Sequence, residues 1–141
     1  MIGILVLSHG NLSQGVVESG KMIVGTNEKV EYLGLYEGNN IDEFYDQTAE
    51  KIKELDDGDG VLVFSDLYGA SPFKATAYCV KRLPNTFYRS VSGINFSMFI
   101  ESVLLRETMG LEELSEHVMN TGKQGIKELF TEAKTFTEEE A

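Results

Sequence analysis

The chain of 141 residues is about the length of one domain, and 42% of its residues are hydrophobic, enough to form a buried core. With 12 basic and 23 acidic residues its formal net charge is −11, which argues against nucleic acids and anionic membranes as direct partners, because phosphate binding requires a positive surface. The single cysteine, Cys79, excludes an intramolecular disulfide framework and a Cys-rich zinc site. The apolar N-terminal run at 2–7 is too short for a signal peptide or a membrane span, so we predict a cytoplasmic protein.

The chain alternates short apolar runs, typical of buried strands, with longer stretches whose apolar residues recur at helical spacing. Strands are predicted at residues 2–7, 30–35, 61–64 and 87–91. Helices are predicted at residues 12–24, 41–55, 71–82 and 95–106, with a last helix that begins near residue 111. These strand–helix units predict an α/β fold, with an open, mostly parallel four-stranded sheet and helices on both faces.

Two of these helices carry more detailed expectations. The predicted inward face of the first helix consists of Val16, Gly20, Ile23 and Val24. In the third helix, Ser71 is predicted to be the N-cap and Pro72 the first helical residue.

Polar residues that directly follow the strands are the candidates for a functional site, because ligands of open parallel sheets bind beyond the carboxyl ends of the strands. These residues are Ser8-His9-Gly10, Tyr36-Glu37-Gly38, Ser65-Asp66 and Ser92-Gly93.

His9 is the first candidate for chemistry, since it follows a buried strand and precedes both Gly10 and the start of a helix. Glycine allows another molecule to approach closely, and the free N–H groups of a helix start favour an anion. An imidazole in this position could accept a phosphoryl group, whereas an ordinary surface histidine in a loop is the alternative.

Asp66 strengthens this hypothesis if the first and third strands are neighbours. A carboxylate on one ring nitrogen of His9 would fix the tautomer and leave the other nitrogen nucleophilic. The alternative is that Asp66 is a turn or capping residue. The following loop of small residues leads to Ser71, whose hydroxyl, together with backbone N–H groups, could bind the phosphate.

The remaining candidates are weaker. His117 lies in the last predicted helix without a metal-ligand set around it, and Cys79 is expected to be a core residue. No glycine-rich dinucleotide fingerprint or Walker-type loop is present. A phospho-aspartate receiver domain would need an acidic pair after the first strand, where this chain has Ser8 and His9.

Three blocks of sequence resemble the IIA component of the mannose family of the bacterial phosphotransferase system, in its order and spacing. They are Ile4-Leu5-Val6-Leu7-Ser8-His9-Gly10, Asp66-Leu67-Tyr68-Gly69-Ala70-Ser71-Pro72-Phe73 and Gly93-Ile94-Asn95-Phe96-Ser97-Met98. The resemblance covers about residues 2–130. It implies that the phosphocarrier HPr phosphorylates His9, and that His9 passes the phosphoryl group to a IIB component for sugar uptake.

The resemblance also implies roles for individual residues and partners. Asp66 would orient the His9 ring, and Gly10 and Ser71 would help to bind the phosphate. Neither a metal nor an organic cofactor is implied, and contact with the membrane would be indirect, through the IIC and IID transport components. HPr and IIB are expected to dock on apolar residues, namely Leu12, Leu67, Tyr68 and Phe73.

The C-terminal region carries a separate expectation. Family members are homodimers that exchange a C-terminal strand, and residues 125–130 are the matching segment, although their pattern is ambiguous between strand and helix. We therefore expect a IIA phosphotransfer domain at 1–130 and an acidic tail at 131–141, which could be a native end or the start of a linker.

Two other functions remain open at this stage. In the first, phosphorylation of His9 regulates binding to another protein without onward transfer. In the second, the chain is an α/β domain that binds a small molecule.

Overall fold

The computed structural model describes residues 1–133, in which four strands and five helices span residues 3–124. The strands are β1 (Gly3–His9), β2 (Val30–Leu35), β3 (Val61–Ser65) and β4 (Tyr88–Ser92). The helices are α1 (Leu12–Val24), α2 (Ile41–Leu55), α3 (Ser71–Arg82), α4 (Phe96–Leu105) and α5 (Leu111–Gln124). The predicted order of elements is confirmed. The strand 30–35 has the predicted bounds, and the bounds of the other three strands differ by one or two residues.

The strands form one parallel sheet in the order β2-β1-β3-β4, so β1 pairs with both β2 and β3. The chain passes from β1 to β2 on one side and returns to β3 on the other side of β1. The carboxyl ends of β1 and β3 therefore flank the point where the direction of winding reverses, which is where open parallel sheets form a binding crevice.

Helices cover both faces of the sheet, and the alternation of side chains along β1 divides the core in two. Ile4 and Val6 pack on the face covered by α1, α4 and α5, with Phe64, Phe99 and Leu114. Leu5 and Leu7 pack on the opposite face, covered by α2 and α3. The predicted α/β class with a two-sided helical cover is confirmed, and all four strands are parallel.

One local prediction about helices was correct in part and a second was wrong. In α1, Gly20 is buried and Val16 and Val24 pack on the core as predicted, but Ile23 is 62% exposed, and Ser13 and Val17 are buried as well. In α3 the N-cap is Ala70, whose carbonyl accepts from the Lys74 N–H, so Ser71 is the first helical residue and caps nothing with its side chain.

The single chain forms no strand at residues 125–130. After α5 the backbone is irregular through residue 128, and residues 129–133 are helical. The exchanged strand of a dimer thus stays a prediction, and the expected acidic tail at 131–141 lies mostly outside the described residues. Within residues 1–133, no helix is long and apolar enough to cross a membrane.

Candidate functional site

The side chains of His9 and Asp66 meet at the carboxyl end of the sheet. His9 is the last residue of β1, and Asp66 directly follows β3, the neighbouring strand. One carboxylate oxygen of Asp66, Oδ2, accepts from the His9 backbone N–H at 2.8 Å and lies 2.7 Å from His9 Nδ1. The pairing expected from the two strand ends is therefore present in the structure.

Asp66 is held as a carboxylate. Its side chain is only 9% exposed, and this burial alone would raise its pKa. Hydrogen bonds from the His9 backbone, the His9 ring and the Leu67 N–H outweigh burial, and the pKa of Asp66 is lowered from its usual value. Oδ1 accepts the bond from Leu67 N at 2.9 Å, so both oxygens are engaged.

This carboxylate determines the tautomer of the His9 ring. An ionised carboxylate can only accept, so the proton of the neutral imidazole resides on Nδ1 and the lone pair on Nε2. The His9 side chain is 50% exposed, which makes the ring accessible to a large partner. The arrangement can therefore present a fixed, nucleophilic Nε2 at the surface of the protein.

Gly10 forms the turn between His9 and α1. Its φ of +56° lies in the left-handed region that favours glycine, and its N–H donates to the Leu35 carbonyl at 2.8 Å. This hydrogen bond joins the turn to β2 directly beside the His9 ring.

Ser71 is the first residue of α3 and lies at the same edge of the sheet as His9 and Asp66. No hydrogen bond joins it to His9 or Asp66, and its hydroxyl has no hydrogen-bond partner within residues 1–133, which leaves it available to a ligand. The helices α1 and α3 both begin at this edge, and the dipole of each helix favours an anion at its N-terminus.

A cavity beside the ring is lined by His9, Gly10, Leu35, Tyr36 and Glu37. None of these described residues is Lys or Arg. The side chains on this side of His9 therefore offer no positive charge to an anion, and Glu37 and the net charge of the chain would oppose its approach.

An apolar rim lies on the loops around the site. Leu12, Leu67 and Tyr68 are 52%, 60% and 80% exposed, and the Tyr68 ring packs on the half-buried Phe73 with 4.9 Å between ring centroids. Docking of a protein partner on this rim stays a prediction. By contrast, His117 lies on α5, where its Nε2 pairs with Glu101 at 2.8 Å, and Cys79 is fully buried.

Two features of the site carried no assigned role in the sequence analysis. Tyr36 and Glu37 stood among the strand-end residues, and the structure places both on the cavity wall. Ser8 is fully buried, and its Oγ accepts from the Ser13 N–H at 2.8 Å. The sequence signal for this role of Ser8 was a serine at the end of an apolar strand, five residues before a residue in the first turn of the predicted helix.

Comparisons with known proteins agree with this architecture. A family model described as "EIIA-man: PTS system fructose IIA component" matches residues 3–119. The mannose-specific EIIAB component of the PTS from Escherichia coli K12 is 27% identical over 129 residues, which are 91% of this chain and 39% of that protein. The fructose-specific EIIA component from Bacillus subtilis is 22% identical over 127 residues, 90% of this chain and 86% of that protein.

Solved structures of similar proteins have the same fold. A phosphotransferase system component EIIA from Streptococcus agalactiae superposes with a TM-score of 0.85 at 26% identity, covering 93% of this chain and 99% of that one. A PTS IIA protein associated with the fucose utilization operon of Streptococcus pneumoniae has a TM-score of 0.76 at 32% identity, covering 93% and 95%.

Proposed function

The chain belongs to the mannose-family IIA (EIIA-man) components of the sugar phosphotransferase system, and on this basis we propose that it is a phosphoryl relay that works through His9. His9 accepts a phosphoryl group from phospho-HPr and passes it to a IIB component. The observation that carries the proposal is the Asp66 carboxylate, 2.7 Å from Nδ1, which leaves Nε2 of a half-exposed ring as the nucleophile.

The transfer step is a direct displacement at phosphorus. The lone pair of His9 Nε2 forms a new N–P bond while the bond between phosphorus and the donor breaks, and that electron pair leaves with the donor. Positive charge develops on the His9 ring, whose Nδ1 proton stays in the hydrogen bond to Asp66. The carboxylate stabilises this charge, and the reverse displacement delivers the group to the acceptor.

Gly10 and Ser71 take part as groups that bind the phosphate. Gly10 has no side chain beside the ring, and its positive φ favours glycine at this position. Ser71 is the first residue of α3, where the helix dipole favours an anion, and its hydroxyl has no hydrogen-bond partner among the described residues. The chain's own residues suffice for this chemistry, since phosphoryl transfer between imidazoles requires positioning and charge stabilisation rather than a redox or organic cofactor.

The partners follow from the same proposal. HPr and IIB both dock on the exposed rim of Leu12, Leu67 and Tyr68, and both are soluble on the cytoplasmic side, where this chain also works. It reaches the membrane only through the IIC and IID components. The IIA domain spans 1–130 and forms a homodimer with an exchanged C-terminal segment, while 131–141 is its acidic tail.

The test of the proposal is incorporation of phosphate. Incubation with phosphoenolpyruvate, the general phosphotransfer enzyme and HPr should add one acid-labile phosphate to the chain, and none to the His9→Ala variant. His117→Ala is the matched control, because His117 is the second of the two histidines and belongs to the remote α4–α5 pair with Glu101. It should incorporate phosphate like the unmodified chain.

Onward transfer separates the relay from a regulatory domain. Addition of a IIB protein should remove the label from the phosphorylated chain within the mixing time of the experiment. An acid-stable adduct, or label that persists in His9→Ala, contradicts the proposed site, and a label that never leaves His9 supports the regulatory alternative.

A further inference from the structure

The turn that follows His9 is held at both backbone polar groups of Gly10. The Gly10 N–H donates to the Leu35 carbonyl of β2. The carbonyl on the other side of the same residue faces two groups with no role in the phosphoryl transfer itself, namely the hydroxyl of Ser8 and the bare backbone of Gly34.

Ser8 holds the turn from inside the protein. Its side chain is fully buried, its Oγ accepts from the Ser13 N–H at 2.8 Å, and its hydroxyl donates to the Gly10 carbonyl at 3.3 Å. α1 has no side-chain cap from Asn11, its N-cap residue, so the Ser8 hydroxyl satisfies a first-turn N–H of that helix instead. One hydroxyl thus joins the end of β1, the turn and the start of α1.

Gly34 leaves the space that the same carbonyl occupies on the β2 side. A Cβ placed on Gly34 would lie 2.2 Å from the Gly10 carbonyl oxygen and 3.1 Å from the Tyr36 ring. The first distance is far inside van der Waals contact with backbone that cannot rotate away. Any side chain at this position must push the turn off the sheet, and His9 precedes the displaced carbonyl by one residue.

We propose that Ser8 and Gly34 are positioning residues for His9, which fix the Gly10 carbonyl and thereby the distance between the His9 ring and Asp66. Neither residue touches the reacting atoms. The His9 backbone N–H and ring Nδ1 both bond to the same carboxylate oxygen, so a shift of the turn moves both bonds at once. The expected effect on the rate of phosphoryl transfer rests on the proposed function, whereas the expected effect on the orientation of the His9 ring does not.

The first test replaces Ser8 by Ala and by Thr. In single turnovers with saturating phospho-HPr, Ser8→Ala should lower the rate constant of transfer at least tenfold, since displacements near 1 Å cost up to about a hundredfold. The concentration of HPr that gives half the maximal rate should not change, because the docking rim is intact. Ser8→Thr keeps the hydroxyl and should restore most of the rate.

The second test measures the state of the His9 ring by NMR in the unphosphorylated protein. The ¹⁵N chemical shifts of His9 Nδ1 and Nε2 report the tautomer and the bond to Asp66, and both should move toward those of a free imidazole in Ser8→Ala and in Gly34→Ala. Gly34 is on the edge strand β2, so Gly34→Ala should fold even where Ser8→Ala does not.

Matched controls separate positioning from general destabilisation. Ser102→Ala removes another fully buried hydroxyl, which donates to the Phe99 carbonyl on α4. Gly3→Ala adds a Cβ 2.8 Å from the Leu55 side chain at the opposite end of β1. Both controls should lower the melting temperature and leave the transfer rate and the His9 shifts unchanged.

The outcomes are distinct. The proposal is overturned if Ser8→Ala and Gly34→Ala match their controls in rate and in ¹⁵N shifts, or if a stably folded Ser8→Thr behaves like Ser8→Ala. If the unmodified chain takes up no phosphate, the proposed function fails, and the ¹⁵N shifts alone decide whether the two residues position the ring.

Discussion

Asp66 accepts three hydrogen bonds, from the His9 backbone N–H, the His9 ring and the Leu67 N–H. The two bonds from His9 share one oxygen, so the ring is oriented relative to its own backbone. The carboxylate acts both as an orienting group for the imidazole and as the negative charge beside it. These two effects separate on substitution, because an amide keeps the shape and loses the charge.

Substitution of Asp66 should slow phosphoryl transfer without unfolding the protein. We expect Asp66→Asn to lower the transfer rate constant about a hundredfold and Asp66→Ala to lower it further, because groups that orient and stabilise charge contribute factors of this size. Single-turnover kinetics with phospho-HPr would measure this, with circular dichroism as the control for folding. Unchanged transfer in both variants would remove Asp66 from the mechanism.

The lowered pKa of Asp66 also makes a prediction for stability. A carboxyl group whose pKa is lower in the folded state stabilises the fold above its unfolded pKa, near 3.9, and this contribution is lost as the pH falls through the folded value. The difference in unfolding free energy between the unmodified chain and Asp66→Asn should therefore be present above about pH 5 and shrink below about pH 4. Denaturant titrations across this range would measure it, and a difference that grows on acidification would contradict the assignment.

At this scale the sequence predicted the residues but not all their contacts. His9 and Asp66 could be inferred because each follows an apolar strand, and parallel strands bring their ends together. The interaction of Ser8 with Gly10 could not, since it depends on the path of a turn with a positive φ. Ser71 was assigned as a cap because Ser-Pro is typical of helix starts, yet the backbone turns one residue earlier, at Ala70.

At the scale of elements, two asparagines determine how helices begin. Asn40 caps α2 by accepting from the Glu43 N–H at 3.0 Å. Asn95 caps α4 by accepting from the Met98 N–H at 3.1 Å, and its Nδ2 also donates to the Gly122 carbonyl of α5 at 3.0 Å. Asn95 thus joins two helices, whereas Asn40 serves one.

This difference predicts unequal costs of removal. Asn40→Ala should lower the free energy of unfolding by about 1 kcal/mol, as expected for loss of an exposed cap. Asn95→Ala should cost about 2–3 kcal/mol, because the carbonyl of the buried Gly122 also loses its partner. Chemical denaturation of both variants would test this, and equal costs would show that the bond to Gly122 contributes nothing.

The extent of most elements was predictable to within one or two residues, because apolar spacing is a local property. The strand 30–35 and the helices 12–24 and 41–55 have the predicted bounds. The inward face of α1 was predicted only in part. Val16, Gly20 and Val24 face the core as expected, but Val17 was missed and Ile23 is exposed. The Phe99 ring packs against Gly20, a tertiary contact that helical spacing alone does not indicate. Residues 125–130 were ambiguous in sequence, and in the single chain no sheet edge is paired with them.

At the scale of the whole molecule, the net charge of −11 opposes the chemistry that we propose, since each phosphorylation adds negative charge to an acidic protein. Near His9 this repulsion is offset by the N-termini of α1 and α3 and by hydrogen bonds to both oxygens of Asp66. Away from the site the acidic residues repel one another. That repulsion is long-ranged and is therefore sensitive to salt, unlike the short hydrogen bonds of the His9 site.

The stability of the fold should consequently rise with ionic strength at neutral pH. Between about 20 and 200 mM NaCl we expect the free energy of unfolding at pH 7 to increase by roughly 1 kcal/mol, because screening weakens repulsion between charges farther apart than the Debye length. Urea is the suitable denaturant, since it adds no ions. At pH 4.5, near the isoelectric point, the net charge is close to zero and the same salt series should have little effect. Asp66 is still ionised at this pH because its pKa lies lower, so the His9 site keeps its charge in both series. A salt response of equal size at both pH values would show that the excess acidic charge does not limit stability.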